Sequence, residues 1–207
     1  MIAIIDYGVG NLFSLKSSLE YLGLEAKITA DEQEIRSADK IILPGVGAFG
    51  DAIKKLESTN LIPVIKEEIK KKPLLGICLG KQLLLDKSYE FGEYKGLGLI
   101  PGEVVPFDIP KEYKVPHMGW NSLDITQKDC ALLKNTKDGE YVYYVHSYYA
   151  KTEPKYIAAT SNYCIDVPGV IFNGNVYGAQ FHPEKSGEVG LKILKAFGEI
   201  KWYYFQL

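Results

Sequence analysis

The segment Gly76-Ile77-Cys78-Leu79-Gly80 follows the apolar run Pro73-Leu74-Leu75 and has the form of an elbow in which a buried strand turns sharply into a helix. Glycines two residues either side of Cys78 permit that turn and lift the central side chain into the open. The unit of strand, tight turn and helix recurs upstream. Ile2 to Asp6 reads as a buried strand ending at Tyr7-Gly8-Val9-Gly10, after which Leu12, Leu15, Leu19 and Leu22 keep helical spacing until Gly23. Lys40 to Leu43 is a second buried-type strand, broken by Pro44-Gly45-Val46-Gly47 and followed by helices expected at about Phe49 to Glu57 and Ile62 to Lys72.

From Lys95 onward the pattern becomes strand-like, at Gly96 to Pro106, Tyr113 to Met118, Tyr141 to Tyr149, Tyr156 to Tyr163, Val170 to Phe172 and Val176 to Phe181. Asn173-Gly174 between the last two signals an antiparallel hairpin, and a final helix is expected from about Ser186 to Lys201. The expected fold class is α/β. It has an open mixed, mostly parallel sheet with helices on both faces and antiparallel strands in the second half. At 207 residues, one domain covering 1–207 is expected. The aromatic tail Trp202 to Leu207 reads as a packed helix end or an appended remnant.

A net charge of −2 leaves no excess of cations to neutralise phosphates, so nucleic acid is not the expected partner. The N-terminus lacks a signal-peptide pattern and no apolar run approaches the length of a membrane span, so the expected location is cytoplasmic. Cys78, Cys130 and Cys164 show no paired metal-type spacing, and neither a disulfide framework, a metal nor a cofactor is expected.

At the elbow the Cys78 thiol sits at a helix N-terminus, the setting that activates a cysteine nucleophile. The plain alternative is a buried thiol packed as a small apolar group. A base tips the balance toward chemistry. His182-Pro183-Glu184 follows an apolar strand, and with Pro183 barring a helix the segment is expected to be extended, with His182 and Glu184 on one side. His146 within an apolar strand and His117 beside Pro116 and Trp120 read as structural or partner-facing. Acyl transfer also needs oxyanion donors. The Leu79 N–H is expected to be free at the elbow, and Val46 or Gly47 of the neighbouring turn is the second candidate. Cys130 and Cys164 read as core or inert thiols.

These segments, with Asp6 to Leu12, Pro44 to Phe49, Gly76 to Gln82, Gly96 to Ile100, His117 to Asn121, Val145 to Tyr148 and Gly178 to Ser186, resemble the triad-type class I glutamine amidotransferases of flavodoxin-like fold. They look most like the glutaminase subunits of imidazole glycerol phosphate synthase. The resemblance implies a triad of Cys78, His182 and Glu184 that hydrolyses L-glutamine through a thioester. It also implies a glutamine site of Gln82 and the backbone at Gly47, His146, Ser147 and Tyr148. It further implies a heterodimer with a (βα)8-barrel cyclase that receives the ammonia, with Asn11, Trp120, Tyr143 and Lys185 at or near the interface.

One position departs from the family pattern: Lys81 stands where Met is usual. Its ammonium is expected to snorkel to solvent, the inward orientation being the alternative. Rival readings are a glutaminase subunit serving surface-polysaccharide sugars, faintly suggested by Ser88 to Gly92, and a catalytically silent regulatory subunit.

Overall fold

The computed structural model describes residues 1–201; Trp202 to Leu207, about which the sequence raises two readings, lie outside the described residues. In chain order the elements are β1 (Ile2–Ile5), α1 (Leu12–Tyr21), β2 (Ala26–Thr29), α2 (Glu32–Ser37), β3 (Lys40–Leu43), α3 (Phe49–Ser58), α4 (Leu61–Glu68), β4 (Leu74–Ile77) and α5 (Leu79–Leu83). They continue with β5 (Lys87–Ser88), β6 (Tyr94–Lys95), β7 (Glu103–Pro106), β8 (His117–Ser122), β9 (Asp124–Ile125), β10 (Tyr141–His146), β11 (Tyr148–Lys151), β12 (Ile157–Tyr163), β13 (Ile165–Asn173), β14 (Val176–Ala179) and α6 (Gly187–Glu199).

The main sheet has the order β2-β1-β3-β4-β14-β13-β12-β9. Pairing is parallel from β2 to β14 and antiparallel from β14 to β9, the mixed and mostly parallel sheet expected. Successive strand residues face opposite layers, as the pleat requires. Ile2 and Ile4 pack with Leu15 and Leu19 of α1 and Ile193, Leu194 and Phe197 of α6. Ala3 and Ile5 pack with Ile35 of α2, Ala52, Ile53 and Leu56 of α3, and Val64 and Ile65 of α4. Both faces are therefore covered, which is what near-continuous apolar strands need in a parallel sheet. Each fully buried Leu or Ile here contributes about 1.5–3 kcal/mol relative to exposure.

β13 and β14 form the expected hairpin, with Asn173 opposite Val176 and Gly174 at φ 57°. Several boundaries differ from the sequence reading. Gly96 to Ile100 is not a strand. Its N–H groups at Leu97, Gly98, Leu99 and Ile100 donate to the carbonyls of Leu83, Leu85 and Leu84, so this segment wraps the end of α5 and satisfies carbonyls that a helix C-terminus leaves open. The strand expected at Tyr113 to Met118 begins only at His117, and the one at Tyr141 to Tyr149 breaks at Ser147. The short strand β2 and helix α2 carry too little periodicity to be read. Asp31 nonetheless caps α2 by accepting from the Glu34 N–H at 3.0 Å, an Asp-x-x-Glu signal visible in retrospect. The strands expected in this half divide further than the alternation pattern shows, into two small sheets, β10-β8 and β11-β7-β5-β6, apart from the main one. Among the described residues no helix is long and apolar enough to cross a membrane.

Candidate active site

Three parallel strands deliver the site at their C-terminal ends, where an open α/β sheet leaves a crevice. β4 runs into Cys78, β3 into Pro44 to Gly47, and β14 toward His182. The β4–β14 register sets Ile77 opposite Ala179, and the Cys78 N–H continues the ladder by donating to the Ala179 carbonyl at 2.8 Å. Cys78 takes φ 54° and ψ −111°, a conformation non-glycine residues avoid, and it is held there by its neighbours. A Cβ on Gly80 would come within 1.8 Å of the Leu43 carbonyl oxygen, and one on Gly76 within 2.7 Å of the Gly80 oxygen. The elbow glycines are thus required by close backbone approach.

His182 Nδ1 lies 2.9 Å from Glu184 Oε1, both side chains being almost wholly buried. The segment is not extended as expected: Pro183–Lys185 forms a 3₁₀ turn. Proline is tolerated at a first helical position, where its missing N–H has no partner to lose, and the turn brings His182 and Glu184 together just as effectively. Burial pulls the His182 imidazole down, but the Glu184 hydrogen bond and the negative charge of Cys78 and Glu184 outweigh it and raise the imidazole to about 10. Its Nε2 and the Glu184 Oε2 are buried without a hydrogen-bond partner among the described residues.

A cavity of about 300 Å³ opens beside this pair, lined by residues that include Cys78, Gln82, Glu90, His146, Tyr148 and His182. Val46, Gly47, Leu79 and Ser147 also border it, so the structure brings together every residue assigned above to catalysis, the oxyanion or substrate except Glu184, which stands behind His182. The Cys78 thiol reaches the Val145 carbonyl at 3.9 Å. Glu90, not singled out in the sequence, is the one carboxylate on the described wall. It accepts from the Phe49 N–H at 2.6 Å, and burial raises it. It lies in a segment whose charge pattern alone carried no catalytic signal.

The expectation for Leu79 is corrected. Its N–H donates to the Gly45 carbonyl at 3.3 Å and is not free. Gly45 sits too close to Gly80 N and the Tyr7 hydroxyl to carry a side chain, and Tyr7 donates to the Pro44 carbonyl at 2.6 Å, so this loop is pressed against the elbow. Val46 is 42% exposed and Gly47 has φ 93°.

His146 and His117 form a relay. His146 Nδ1 faces the Tyr148 carbonyl at 2.8 Å and must carry hydrogen; its Nε2 then accepts from His117 Nδ1 at 3.0 Å, leaving His117 Nε2 to accept from Asn121 Nδ2 at 3.4 Å. Burial lowers His117 to about 4. For His146, burial is also the leading cause, the hydrogen bond to the Tyr148 carbonyl opposes it and the nearby charges of Lys81 and His182 add to it, and the value falls to about 3, so both rings are neutral. Tyr148 O also accepts from Gln82 Nε2 at 3.0 Å.

Lys81 does not snorkel. It is 0% exposed, its Nζ donating to the Pro168 carbonyl at 2.6 Å and to Gln180 Oε1 at 3.2 Å. Solvent is out of reach because α5 lies against β14, where Gly178 has no side chain to displace the lysine stem. Burial lowers its ammonium to about 7, with the Cys78 charge opposing.

Of the residues expected at a partner interface, Trp120 is 56% exposed and packs edge-on to Tyr143 at 6.0 Å, Lys185 is exposed, and Asn11 borders a small crevice with His182 and Glu184. Met118, at 65% exposure, extends this apolar face. Cys130 is buried, which raises it to about 11, and Cys164 lies at φ 65° away from the cavity. Among the described residues no cluster of three or more His, Cys, Asp or Glu is placed to hold a metal ion.

The family model described as glutamine amidotransferase class-I matches residues 3–199. A Listeria monocytogenes serotype 4a protein named imidazole glycerol phosphate synthase subunit HisH is 54% identical over 203 residues, which is 98% of this chain and 97% of that protein. The protein of the same name from Caldanaerobacter subterraneus is 54% identical over 202 residues, 97% and 98% of the two chains. The structure of PurLQS from Thermotoga maritima shares the fold, with a TM-score of 0.74 at 20% identity, covering 95% of this chain and 96% of that one. Identity of this extent over nearly the full length makes the chain a member of the class-I glutamine amidotransferase family, in the branch of the HisH subunits of imidazole glycerol phosphate synthase.

Proposed function

We propose that Cys78, His182 and Glu184 carry out the glutaminase step of imidazole glycerol phosphate synthase. The observation that bears most weight is the buried His182–Glu184 pair beside a cysteine at a strained elbow, opening on one amino-acid-sized cavity. The chain is a glutamine amidotransferase of histidine biosynthesis and works with a cyclase; that this cyclase is a (βα)8 barrel, and that the pair works in the cytoplasm, belong to the proposal.

In this reading Cys78 Sγ attacks the side-chain carboxamide carbon of glutamine. The thiol proton of Cys78 is carried on His182 Nε2, and the C–N bond breaks as the imidazolium gives that proton to the departing ammonia. Glu184 holds the ring through Nδ1 and offsets its charge. Water then attacks the thioester, His182 recovers a proton, and glutamate leaves. Glu90 and the Gln82 oxygen suit the substrate ammonium, while the backbone at Ser147 and Tyr148 and the Gly47 turn suit its carboxylate and carbonyl oxygen. Trp120, Tyr143, Lys185 and Asn11 form the docking face, where exposed aromatics serve as anchors.

The names of the relatives do not favour the surface-polysaccharide alternative. A silent subunit has no physical need for a buried, paired His182 next to a strained cysteine. The test is glutamate release from glutamine by the complex with the cyclase. Turnover that vanishes in Cys78→Ala supports the reading, and turnover that persists overturns it.

A further inference from the structure

We propose that Lys81 is a positioning residue for the glutamine pocket, holding the Gln180 side-chain oxygen so that Gln82 turns its own oxygen toward substrate. The proposal rests on the glutaminase reading above and adds a residue that departs from the family pattern.

The geometry forms one chain of donors and acceptors. Lys81 Nζ is anchored on the Pro168 carbonyl and donates to Gln180 Oε1 at 3.2 Å. The same oxygen accepts from Gln82 Nε2 at 3.4 Å, and Gln82 Nε2 donates its other hydrogen to the Tyr148 carbonyl at 3.0 Å. Both N–H groups of Gln82 are thereby committed. Its oxygen, which accepts nothing among the described residues, is left at the cavity wall as a pure acceptor. An acceptor there suits the ammonium of an amino-acid substrate, with Glu90 on the same wall.

Gln180 is the weak member. It is fully buried and its Nε2 has no partner among the described residues, which leaves a stranded donor. Rotating the amide by half a turn would place Nε2 against the Lys81 ammonium and Gln82 Nε2, three donors facing one another. The ammonium therefore selects the observed orientation. With an apolar residue at 81 that selection is gone. Gln180 is then free to seek a partner for its nitrogen, and Gln82 loses one of the two acceptors that orient it.

The test compares glutamine with glutaramate, which keeps the carboxamide and carboxylate but lacks the α-amino group, in the synthase complex with its cyclase. For Lys81→Met the expected result is a KM for glutamine raised about tenfold with kcat within about twofold, and a glutamine-over-glutaramate preference reduced by about the same factor. Gln180→Met should reproduce that loss, and the double variant should be no worse than Gln180→Met alone. It also stands in if Lys81→Met does not fold. Equal losses on both substrates, or additive effects in the double variant, would show a merely structural role and overturn the proposal. Wild-type protein that hydrolyses neither substrate would overturn the glutaminase reading, and the proposal with it.

Discussion

The Leu79 N–H donates to the Gly45 carbonyl at 3.3 Å, so the backbone donor next to Cys78 is occupied in the resting chain. A donor turned toward a carbonyl of the neighbouring turn cannot also stabilise an oxyanion. Because one missing oxyanion donor costs about 10²–10³ in kcat, the isolated chain is expected to hydrolyse glutamine slowly, and docking of the cyclase to raise the rate by about that factor. Steady-state glutamate release with and without the partner measures this. A free subunit as fast as the complex would show that the Gly45 contact has no catalytic consequence.

Cys78→Ala should abolish glutamine hydrolysis by at least about 10³-fold while complex formation persists, since the trio of side chains acts as a unit. Size-exclusion chromatography with the cyclase, run beside the activity assay, separates lost chemistry from lost assembly.

His182 lends stability with a definite pH signature. Its folded value of about 10 lies above the ordinary 6.5, so the folded state binds more protons between those limits. The contribution is complete below pH 6.5 and is lost as pH rises through about 10. Urea unfolding of wild type and His182→Gln at several pH values should give a stability difference largest at pH 6 and smallest above pH 10. A constant difference would mean that His182 is not protonated by its neighbours.

Lys81 has the opposite sign. Burial sets its ammonium near 7 in the folded chain against 10.5 unfolded, so the cost of burying it is full below pH 7 and fades as pH climbs to 10.5. Lys81→Met should lose this slope, at most about 1.4 kcal/mol per pH unit. Parallel stability curves for the two proteins across that window would contradict the buried cation.

Gly80→Ala is expected to destabilise by more than about 3 kcal/mol, because its Cβ meets the Leu43 carbonyl, backbone that cannot rotate away. Thermal melting gives the answer, and a shift of only a degree or two would refute the close approach.

Much of the site was legible because its chemistry needs local shape. The glycines flanking Cys78 announce a turn, and the sequence adjacency of His182 and Glu184 makes them partners whatever the backbone does between them. That robustness explains why the pair forms even though Pro183 starts a 3₁₀ turn in place of extended chain. Features that depend on distant strands were not legible. Lys81 looks like a surface residue until β14 and β13 supply the space at Gly178 and the carbonyl of Pro168. Nor does Leu79 reveal from its own segment that Gly45 will take its N–H. Glu90 sits among charged and aromatic neighbours with no motif, and only the folding of its loop over Phe49 puts it on the cavity wall. β13 spans Ile165–Asn173, longer than the Val170 to Phe172 expected, and runs through Pro168, a residue that argues against a strand interior.

The Cys78 N–H is the last rung of the β4–β14 ladder, and three residues beyond Ala179, which accepts that rung, stands His182 with its own N–H tied to the Tyr143 carbonyl at 3.0 Å. Cys78 and His182, the proposed nucleophile and base, are therefore mounted on a common frame of backbone hydrogen bonds. Their spacing is a property of the frame and does not depend on whether the cavity is filled. A docking subunit that shifts the Gly45 to Gly47 turn is therefore expected to change the oxyanion donors while the β4–β14 ladder and the Tyr143 contact keep Cys78 and His182 in register.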